Sequence, residues 1–298
     1  GFVYILYSLD RALFLNSGVC RIADSILPEG TIVNPHFPAA VGLRTLSVQR
    51  LQGVIFGAFA QAAPDRLPSS PASGGPIMNV NTIDNRTGRR VMAATGPITG
   101  GAGGNPYGDG TEGSGANASF LKNTPVEINE AEVPFKILRY GLTQDSGGAG
   151  KHRGGNAIEM IFQAHAPNTK ITARNRDRTR FSSWGVLGGK AGSHSRFILN
   201  PGSNHEVNLG NVDILTIGPG DVVQVGSGGS GGWGDPLERD PEAVLRDVRR
   251  GFVSRAAAES VYGVVLADGG WDAGGTERLR AELARGRAAD AGFFDFGV

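Results

Sequence analysis

The stretch Ala157-Ile-Glu-Met-Ile-Phe-Gln-Ala164, followed by Lys170-Ile-Thr-Ala-Arg-Asn175, consists of two short runs rich in branched and apolar residues. Pro167 and Asn168 separate the runs, and residues of this kind end a strand because they favour turns. Further runs of the same character lie on both sides, at Val133–Leu142, Arg196–Asn200, Ile214–Ile217 and Asp221–Gly226. This pattern predicts a β-rich region over residues 125–236.

Residues 1–124 combine predicted helices and strands with a long loop. Apolar residues recur at helical spacing from Val41 to Gln61, which predicts a helix. Branched residues predict a pair of strands at Ile77–Ile83 and Arg90–Ala94. A first helix is expected over residues 2–15 and a short strand over Thr31–Val33.

Residues 237–298 predict small helices. Asp240 is in an N-cap position, Pro241 follows at the first helical position, and Gly251 lies beyond the end. Ser254 and Thr276 are expected to cap two more helices, which end at Val261 and Arg285. The whole pattern predicts an α+β fold in three regions, 1–124, 125–236 and 237–298, with helices flanking the β-rich centre.

The composition excludes several classes of protein. The formal net charge is +1 from 29 basic and 28 acidic residues, so no strong field attracts nucleic acid or an anionic membrane. No uninterrupted apolar stretch approaches the ~20 residues that a membrane span needs. The single cysteine, Cys20, excludes an internal disulfide framework and fits a reducing compartment. We therefore expect a cytoplasmic protein that binds neither nucleic acid nor membrane.

Glycine is the most unusual feature of the composition. The chain has 47 glycines in 298 residues, about twice the usual ~7 %. The run from Gly96 to Gly110 contains many of them and is too long for an ordinary connection. Long loops inside a compact domain are usually functional or disordered, and this one lacks the charge of a disordered tail. We interpret it as a functional loop.

Motifs for nucleotides and metals are incomplete. Residues 147–152 resemble a phosphate loop, but Asp145 occupies the place of its first glycine and His152 that of the Ser or Thr. Residues 226–231 have the G-x-G-x-x-G spacing, yet no helix follows to hold a pyrophosphate. The five histidines lack metal-ligand spacing, so no metal site is predicted within this chain.

Charged residues are densest between residues 123 and 155. Glu127 and Glu130 precede a predicted strand, and Asp145-Ser-Gly-Gly-Ala-Gly-Lys-His-Arg-Gly-Gly155 interleaves charges with five glycines. Glycines let a backbone approach a ligand, while Lys151, His152 and Arg153 can donate to a phosphate or carboxylate. The alternative is a tight hairpin whose charges are solvated. If the segment is functional, it lines a cleft.

Several motifs resemble the hydantoinase B/oxoprolinase family. They occur in the family's order over nearly the whole chain, at Pro28–Pro35, Ala60–Arg66, Asn123–Glu127, Arg139-Tyr140, Asp145–Gly155, Gly231–Asp240 and Tyr262–Val265. His36 and Trp233 lie in matching segments but are not the residues expected there. The resemblance covers about the C-terminal half of a family member. The missing N-terminal half is the part associated with the family's metal site.

The resemblance implies an ATP-dependent hydrolase of cyclic amides such as 5-oxoproline or N-methylhydantoin. It implies a hydantoinase A-type partner that binds ATP, and ATP with a divalent metal as cofactors of the complete complex. Its candidate catalytic residues here are Glu130 or Asp145 as general base and Lys151, His152 and Arg153 as stabilisers of developing negative charge. The candidate substrate-binding residues are Asn123, Glu127 and Asp109.

Two other functions remain open. Some members of the family are subunits of ATP-dependent carboxylases that act on acetone or acetophenone. The chain could also be a non-catalytic scaffold or degenerate fragment, a hypothesis that gains weight if the natural protein begins near Gly1 and so lacks the half associated with the metal site. The absence of an initiator methionine and the start within apparent structure instead suggest a fragment or a processed product. Consumption of bicarbonate with ATP would distinguish a carboxylase from a hydrolase.

Overall fold

Two antiparallel sheets form the body of the computed structural model, which describes residues 1–14, 16–42, 44–113, 123–174, 176–286 and 292–297. The helices within these ranges are α1 (Phe2–Leu9), α2 (Arg44–Ala60), α3 (Val126–Glu132), α4 (Pro241–Arg249), α5 (Arg255–Ser260) and α6 (Ala273–Arg285). The strands are β1 (Ile77–Ile83), β2 (Arg90–Thr95), β3 (Phe135–Leu142), β4 (Ile158–Ala164), β5 (Thr169–Arg174), β6 (Gly185–Val186), β7 (Arg196–Leu199), β8 (Val207–Asn208), β9 (Ile214–Ile217), β10 (Val222–Gly226), β11 (Leu266–Ala267), β12 (Gly270–Trp271) and β13 (Phe294–Asp295).

The main hydrophobic core draws side chains from both large sheets. One sheet has the strand order β2-β1-β5-β9 and the other the order β3-β4-β10-β7-β8. Alternate residues of β1 are buried, as expected for a strand with one covered face. Val80 and Ile171 of the first sheet belong to the same buried cluster as Phe162 and Val223 of the second. This arrangement confirms the predicted α+β fold.

The first sheet joins residues that are far apart in the chain. β1 pairs antiparallel with β2 on one side and with β5 on the other, where Val80 lies opposite Ile171. β1 and β2 come from the predicted region 1–124, whereas β5 and β9 come from the region 125–236. The sheet therefore crosses the predicted boundary at residue 124.

Most of the predicted elements are present. All six β-rich runs contain strands, the strand pair β1–β2 forms, and α2 occupies the predicted helix. The Asp240 side chain accepts the N–H of Glu242, and the Ser254 Oγ accepts the N–H of Ala257 at 3.0 Å. These hydrogen bonds confirm the two predicted N-caps. Each stabilises its helix because the first N–H groups of a helix have no partner within it.

Three local predictions are wrong. α1 ends at Leu9, because Asp10 is extended and its Oδ1 accepts the N–H of Ala12. Thr31 and Asn34 form one isolated backbone bridge that closes a turn, so Thr31–Val33 is not a strand. α6 begins at Ala273, and Thr276 lies inside it, where its Oγ1 accepts the N–H of Val265.

Two smaller apolar clusters lie outside the main core, one in the C-terminal region and one around α1 and α2. Val244, Ala258 and Tyr262 form one of them with neighbouring residues of the C-terminal region. Ile5 of α1 and Phe56 of α2 belong to the other, which also contacts Trp184. No helix in the described part of the chain is both long and apolar enough to cross a membrane.

Candidate functional site

Four glycine-rich segments, 96–113, 145–156, 182–193 and 226–234, lie against one another and are called here the glycine-rich core. Hydrogen bonds join their backbones directly, for example from Gly104 N to Gly231 O at 3.0 Å and from Gly148 N to Ser230 O at 2.7 Å. Most of these residues are buried. A buried irregular backbone needs such pairing, because an unpaired N–H or C=O away from water is costly.

The backbones in this core approach so closely that side chains would not fit. A Cβ placed on Gly229 would lie 1.6 Å from the Ser146 oxygen, and one on Gly154 would lie 2.2 Å from the Ser230 oxygen. All five glycines of residues 145–155 show such clashes with backbone atoms, four of them with other segments and Gly147 with Gly154 of its own segment. Close packing of backbones therefore explains why residues 145–155 contain so many glycines. Glycine content no longer favours a substrate-facing loop at residues 145–155.

Arg153 and Arg239 form a buried ion-pair network at the edge of this core. Arg153 Nη2 donates to Glu112 Oε1 at 2.6 Å, and its Nε donates to Asp247 at 3.3 Å. Arg239 grips both carboxylate oxygens of Asp109 at 2.6 and 2.7 Å and also donates to Asp247 at 2.7 Å. The network thus ties the loop before residue 113 to α4.

Arg153 is almost completely buried within this network. The residue is 2 % exposed, and its three guanidinium nitrogens all donate to protein oxygens. Burial opposes its charge, but Asp247 and Glu112 outweigh burial and raise the pKa of Arg153. Arg153 therefore does not line an open cleft, and its geometry fits the positioning of the glycine-rich core.

Asp109 is also held by hydrogen bonds within this network. Burial favours its neutral form, but the paired hydrogen bonds and charge of Arg239 outweigh burial and lower the pKa of Asp109. The backbone N–H of Arg153 also donates to its Oδ1 at 2.8 Å. With these donors on both oxygens, Asp109 stays ionised and holds Arg239.

The remaining charged residues of the 145–155 segment have different surroundings. Lys151 is exposed and lies 3.3 Å from Glu238. The ring of His152 is half-buried against Trp233, and burial, partly offset by Asp109, lowers the pKa of His152. Asp145 has a positive φ of 58°, and its Oδ1 accepts the N–H of Ser254 at 2.8 Å, so it orients the start of α5.

Glu130 lies on α3 beside a separate cleft of about 530 Å³, which Asp84 and His165 also line. Its Oε1 accepts the N–H of Ile137 at 2.7 Å. Glu127 on the same helix and Asn123 just before it are exposed.

The structure thus brings Asp109, Lys151, His152 and Arg153 together and places Glu130 beside a different cleft. Within the described ranges, no group of three His, Cys, Asp or Glu side chains is arranged to hold a metal ion.

The sequence interpretation missed a further cleft of about 400 Å³ between α2, residues 178–184 and the segment 292–297. Arg50 and Arg178 line its polar part, and Trp184 and Phe294 line its apolar part. These residues come from three separate segments of the chain, so no local motif marks the cleft. It is called the arginine cleft below.

The model of the family described as hydantoinase B/oxoprolinase matches residues 1–236. The chain belongs to this family. An uncharacterized protein of Methanocaldococcus jannaschii is 38 % identical over 261 residues, which are 87 % of this chain and 44 % of that protein. Caprolactamase subunit beta of Pseudomonas jessenii is 33 % identical over 278 residues, which are 89 % of this chain and 47 % of that subunit.

Solved structures show the same fold. The ATP-dependent caprolactamase of Pseudomonas jessenii superposes with a TM-score of 0.77 and 28 % identity, over 93 % of this chain and 50 % of that chain. A nucleotide-free acetone carboxylase superposes with a TM-score of 0.73 and 21 % identity, over 97 % and 44 % of the two chains. The second likeness shows the fold alone. The chain spans about half the length of the relatives it matches.

Proposed function

We propose that this chain is part of an ATP-dependent hydrolase of cyclic amides and acts with a hydantoinase A-type ATP-binding partner in the cytoplasm. The supporting observation is the match to the caprolactamase of Pseudomonas jessenii, which extends over 89 % of the chain in sequence and 93 % in structure. That relative is a beta subunit, which supports a complex with another subunit.

ATP is needed in such a reaction to activate the amide carbonyl. An unstrained lactam is a poor electrophile, because its nitrogen donates electron density to the carbonyl. Transfer of a phosphoryl group from ATP to the carbonyl oxygen makes the carbonyl carbon a better electrophile, and water adds to it. The C–N bond then breaks and releases the ring nitrogen as an amine, and hydrolysis of the resulting acyl phosphate yields the carboxylate and inorganic phosphate. The partner and the part of the relatives outside this match would supply ATP binding and the divalent metal in this scheme.

Glu130 is the residue of this chain that we propose as general base. Its carboxylate is exposed beside the cleft at α3, and one oxygen is oriented by the Ile137 N–H. A base needs an oxygen within hydrogen-bond reach of the attacking water, and we assign that role to Oε2 because Oε1 accepts the Ile137 N–H. In the same scheme, Lys151 and His152 would stabilise developing negative charge, and Glu127 and Asn123 would contact the substrate.

Release of phosphate by the complete complex tests this proposal. We expect hydrolysis of ATP that depends on caprolactam or 5-oxoproline only when the chain, the metal-binding half and the partner are combined. The chain alone is expected to show no such activity. Lactam-stimulated phosphate release by the chain alone would contradict the need for a partner. A requirement for bicarbonate and a ketone would indicate a carboxylase, and an intact complex without either activity would indicate a scaffold.

Variants of the same complex test the role of Glu130. Replacement Glu130→Gln should lower kcat at least tenfold, since the amide cannot accept a proton. The matched control is Glu277→Gln, which alters an exposed glutamate on α6. If both variants keep full turnover, Glu130 is not the base.

A further inference from the structure

The arginine cleft contains more positive than negative charge. Arg50 forms an ion pair with Asp177, whose side chain is 14 % exposed. Arg178 lies next to both, but its guanidinium donates to three carbonyl oxygens, of Ala72, Pro71 and Ser182, and to one hydroxyl. Two guanidinium groups therefore face one carboxylate, which leaves a net charge of +1 in a largely buried place.

This excess charge is costly for the protein without a ligand. Burial and the nearby Arg50 lower the pKa of Arg178 to about 9, which is the direction expected when a cation loses water and has a like charge beside it. The Nε of Arg50 is buried and has no acceptor in the described part of the chain. One further anionic group in the cleft would balance the charge.

The opposite part of the cleft is aromatic. The rings of Trp184 and Phe294 meet edge to face at 4.9 Å, and Phe181 and Phe296 are 69 % and 54 % exposed. Gly57 of α2 allows the helix to lie on the indole, because a Cβ there would be 3.3 Å from Trp184. A ligand with an apolar body would remove these exposed rings from water, at about 25 cal/mol for each Å² buried.

We propose that the arginine cleft binds a small organic acid, with its carboxylate at Arg50 and Arg178 and its apolar body against Trp184 and Phe181. Ser70 and Ser182 also line the cleft and add hydroxyl groups to its polar wall. Ligand pockets commonly have this composition, with mostly apolar walls and a few polar groups that fix orientation.

The proposed function suggests where such an acid comes from. When water opens a cyclic amide, the C–N bond breaks, a C–O bond forms, and the products of the ring are a carboxylate and an amine. The ring-opened product thus combines an apolar chain with a new carboxylate. This identification of the ligand rests on the proposed function, whereas the binding of an organic acid to the cleft does not.

Binding of hexanoate to the purified chain tests the proposal without ATP or a partner. Hexanoate has the carboxylate and the apolar chain, and hexanamide is its neutral counterpart of the same shape. Titration calorimetry should show saturable binding of hexanoate, and binding of hexanamide at least tenfold weaker. No binding of hexanoate at 10-millimolar concentrations, or equal binding of the two compounds, would overturn the proposal.

Variants locate the site. Arg50→Gln should weaken hexanoate binding at least tenfold, and Arg50→Lys should weaken it less because the charge remains. Arg44→Gln is the matched control, since Arg44 is an exposed arginine at the start of the same helix. Phe181→Ala should weaken binding several-fold and leave the melting temperature unchanged, because Phe181 is exposed. Equal affinities of the Arg50→Gln and Arg44→Gln variants would place hexanoate elsewhere.

The two proposals can fail separately. Binding of hexanoate that is lost in Arg50→Gln supports the cleft even if the complete complex does not hydrolyse lactams. Hydrolysis of lactams by a complex whose chain does not bind hexanoate would overturn the cleft and leave the proposed function intact.

Discussion

Arg153 and Arg239 illustrate how single residues connect distant parts of this chain. Arg153 joins Glu112 to Asp247, and Arg239 joins Asp109 to the same Asp247. The guanidinium is suited to this task because its planar fork can donate to two carboxylates at once, which the ammonium of lysine does less well. The network therefore depends on the arginine side chain as well as on its charge.

Replacement of Arg153 should destabilise the fold. Arg153→Ala leaves Glu112 without its ion-pair partner and Asp247 with Arg239 alone, and removal of one member of a buried pair typically costs about 3–5 kcal/mol. Urea unfolding should show this loss, with a smaller loss for Arg153→Lys. The control Lys151→Gln alters an exposed pair and should change the free energy of unfolding by less than about 1 kcal/mol. Equal stability of all these proteins would contradict a structural role for Arg153.

Asp177 should make stability depend on pH. Burial, only partly offset by Arg50 and Arg178, raises the pKa of Asp177 to about 6 in the folded chain. The unfolded value is about 3.9, so between pH 4 and 6 the folded state binds more protons than the unfolded state. The free energy of unfolding should therefore fall as the pH rises from 4 to 6, by about 3 kcal/mol at most.

Urea unfolding at several pH values checks this effect. The variant Asp177→Asn has a similar shape but no titration, so its stability should lack this decrease. All other titrating groups are shared by the two proteins, and their effects cancel in the difference. Parallel curves for the natural chain and the variant would show that Asp177 does not titrate in this range.

The sequence could not predict these pairings. The Arg153 partners Glu112 and Asp247 lie 41 and 94 residues away. A charged residue in a glycine-rich segment suggests a ligand contact when its partners are unknown. Arg50 and Phe181 of the arginine cleft likewise belong to separate parts of the chain, so only the fold brings them together.

At the scale of elements, regular strands were easier to predict than the glycine-rich segments. Branched residues mark β9 and β1 with their full bounds, because a half-buried strand favours such side chains. The sequence predicts a cap at Thr276 and not at Asp272, because Gly274 and Gly275, which are poor helix formers, occupy the first turn of α6. The glycine-rich core has no periodicity, since its backbones pair across four distant segments.

A single methyl group should disrupt the glycine-rich core. The Cβ of Gly229→Ala would lie 1.6 Å from the Ser146 oxygen, and backbone on both sides cannot move away easily. We expect a loss of at least about 3 kcal/mol, measured by urea unfolding. Gly141→Ala is the control, because no atom lies within 4 Å of its added Cβ and alanine costs less backbone entropy than glycine. Similar stability of both variants would show that the core is loosely packed.

At the scale of the whole molecule, exposed apolar side chains are concentrated near the N-terminus. Within the first 61 residues, the described side chains include Phe14, Ile26, Ile32 and Phe37, which are 85–97 % exposed. Apolar surface of this extent is typical of regions that contact another protein surface. The relatives are about twice as long as this chain, so their other half is one source of such a surface.

Removal of this apolar surface should not affect the fold. The triple variant Ile26→Ser, Ile32→Ser and Phe37→Ser should bind less of the dye ANS, because fewer apolar groups meet water. Its melting temperature should change by no more than about 2 °C, since surface substitutions usually have small effects. Ile171→Ser, in the fully buried part of β5, should lower the melting temperature strongly. A large destabilisation by the triple variant would mean that these side chains are packed in solution.

The hydrogen bond from Ser69 Oγ to the Gly231 oxygen has a consequence for synthesis on the ribosome. It joins residues 162 positions apart, and Gly104 also donates to Gly231. Translation at about 5–20 residues per second makes Gly231 about 10–30 s after Ser69. Residues 96–113 are therefore made before their backbone partners in residues 145–156 and 226–234 exist. For that interval the peptide groups of this segment are hydrogen-bonded to water, so the glycine-rich core can close only after synthesis has passed residue 231.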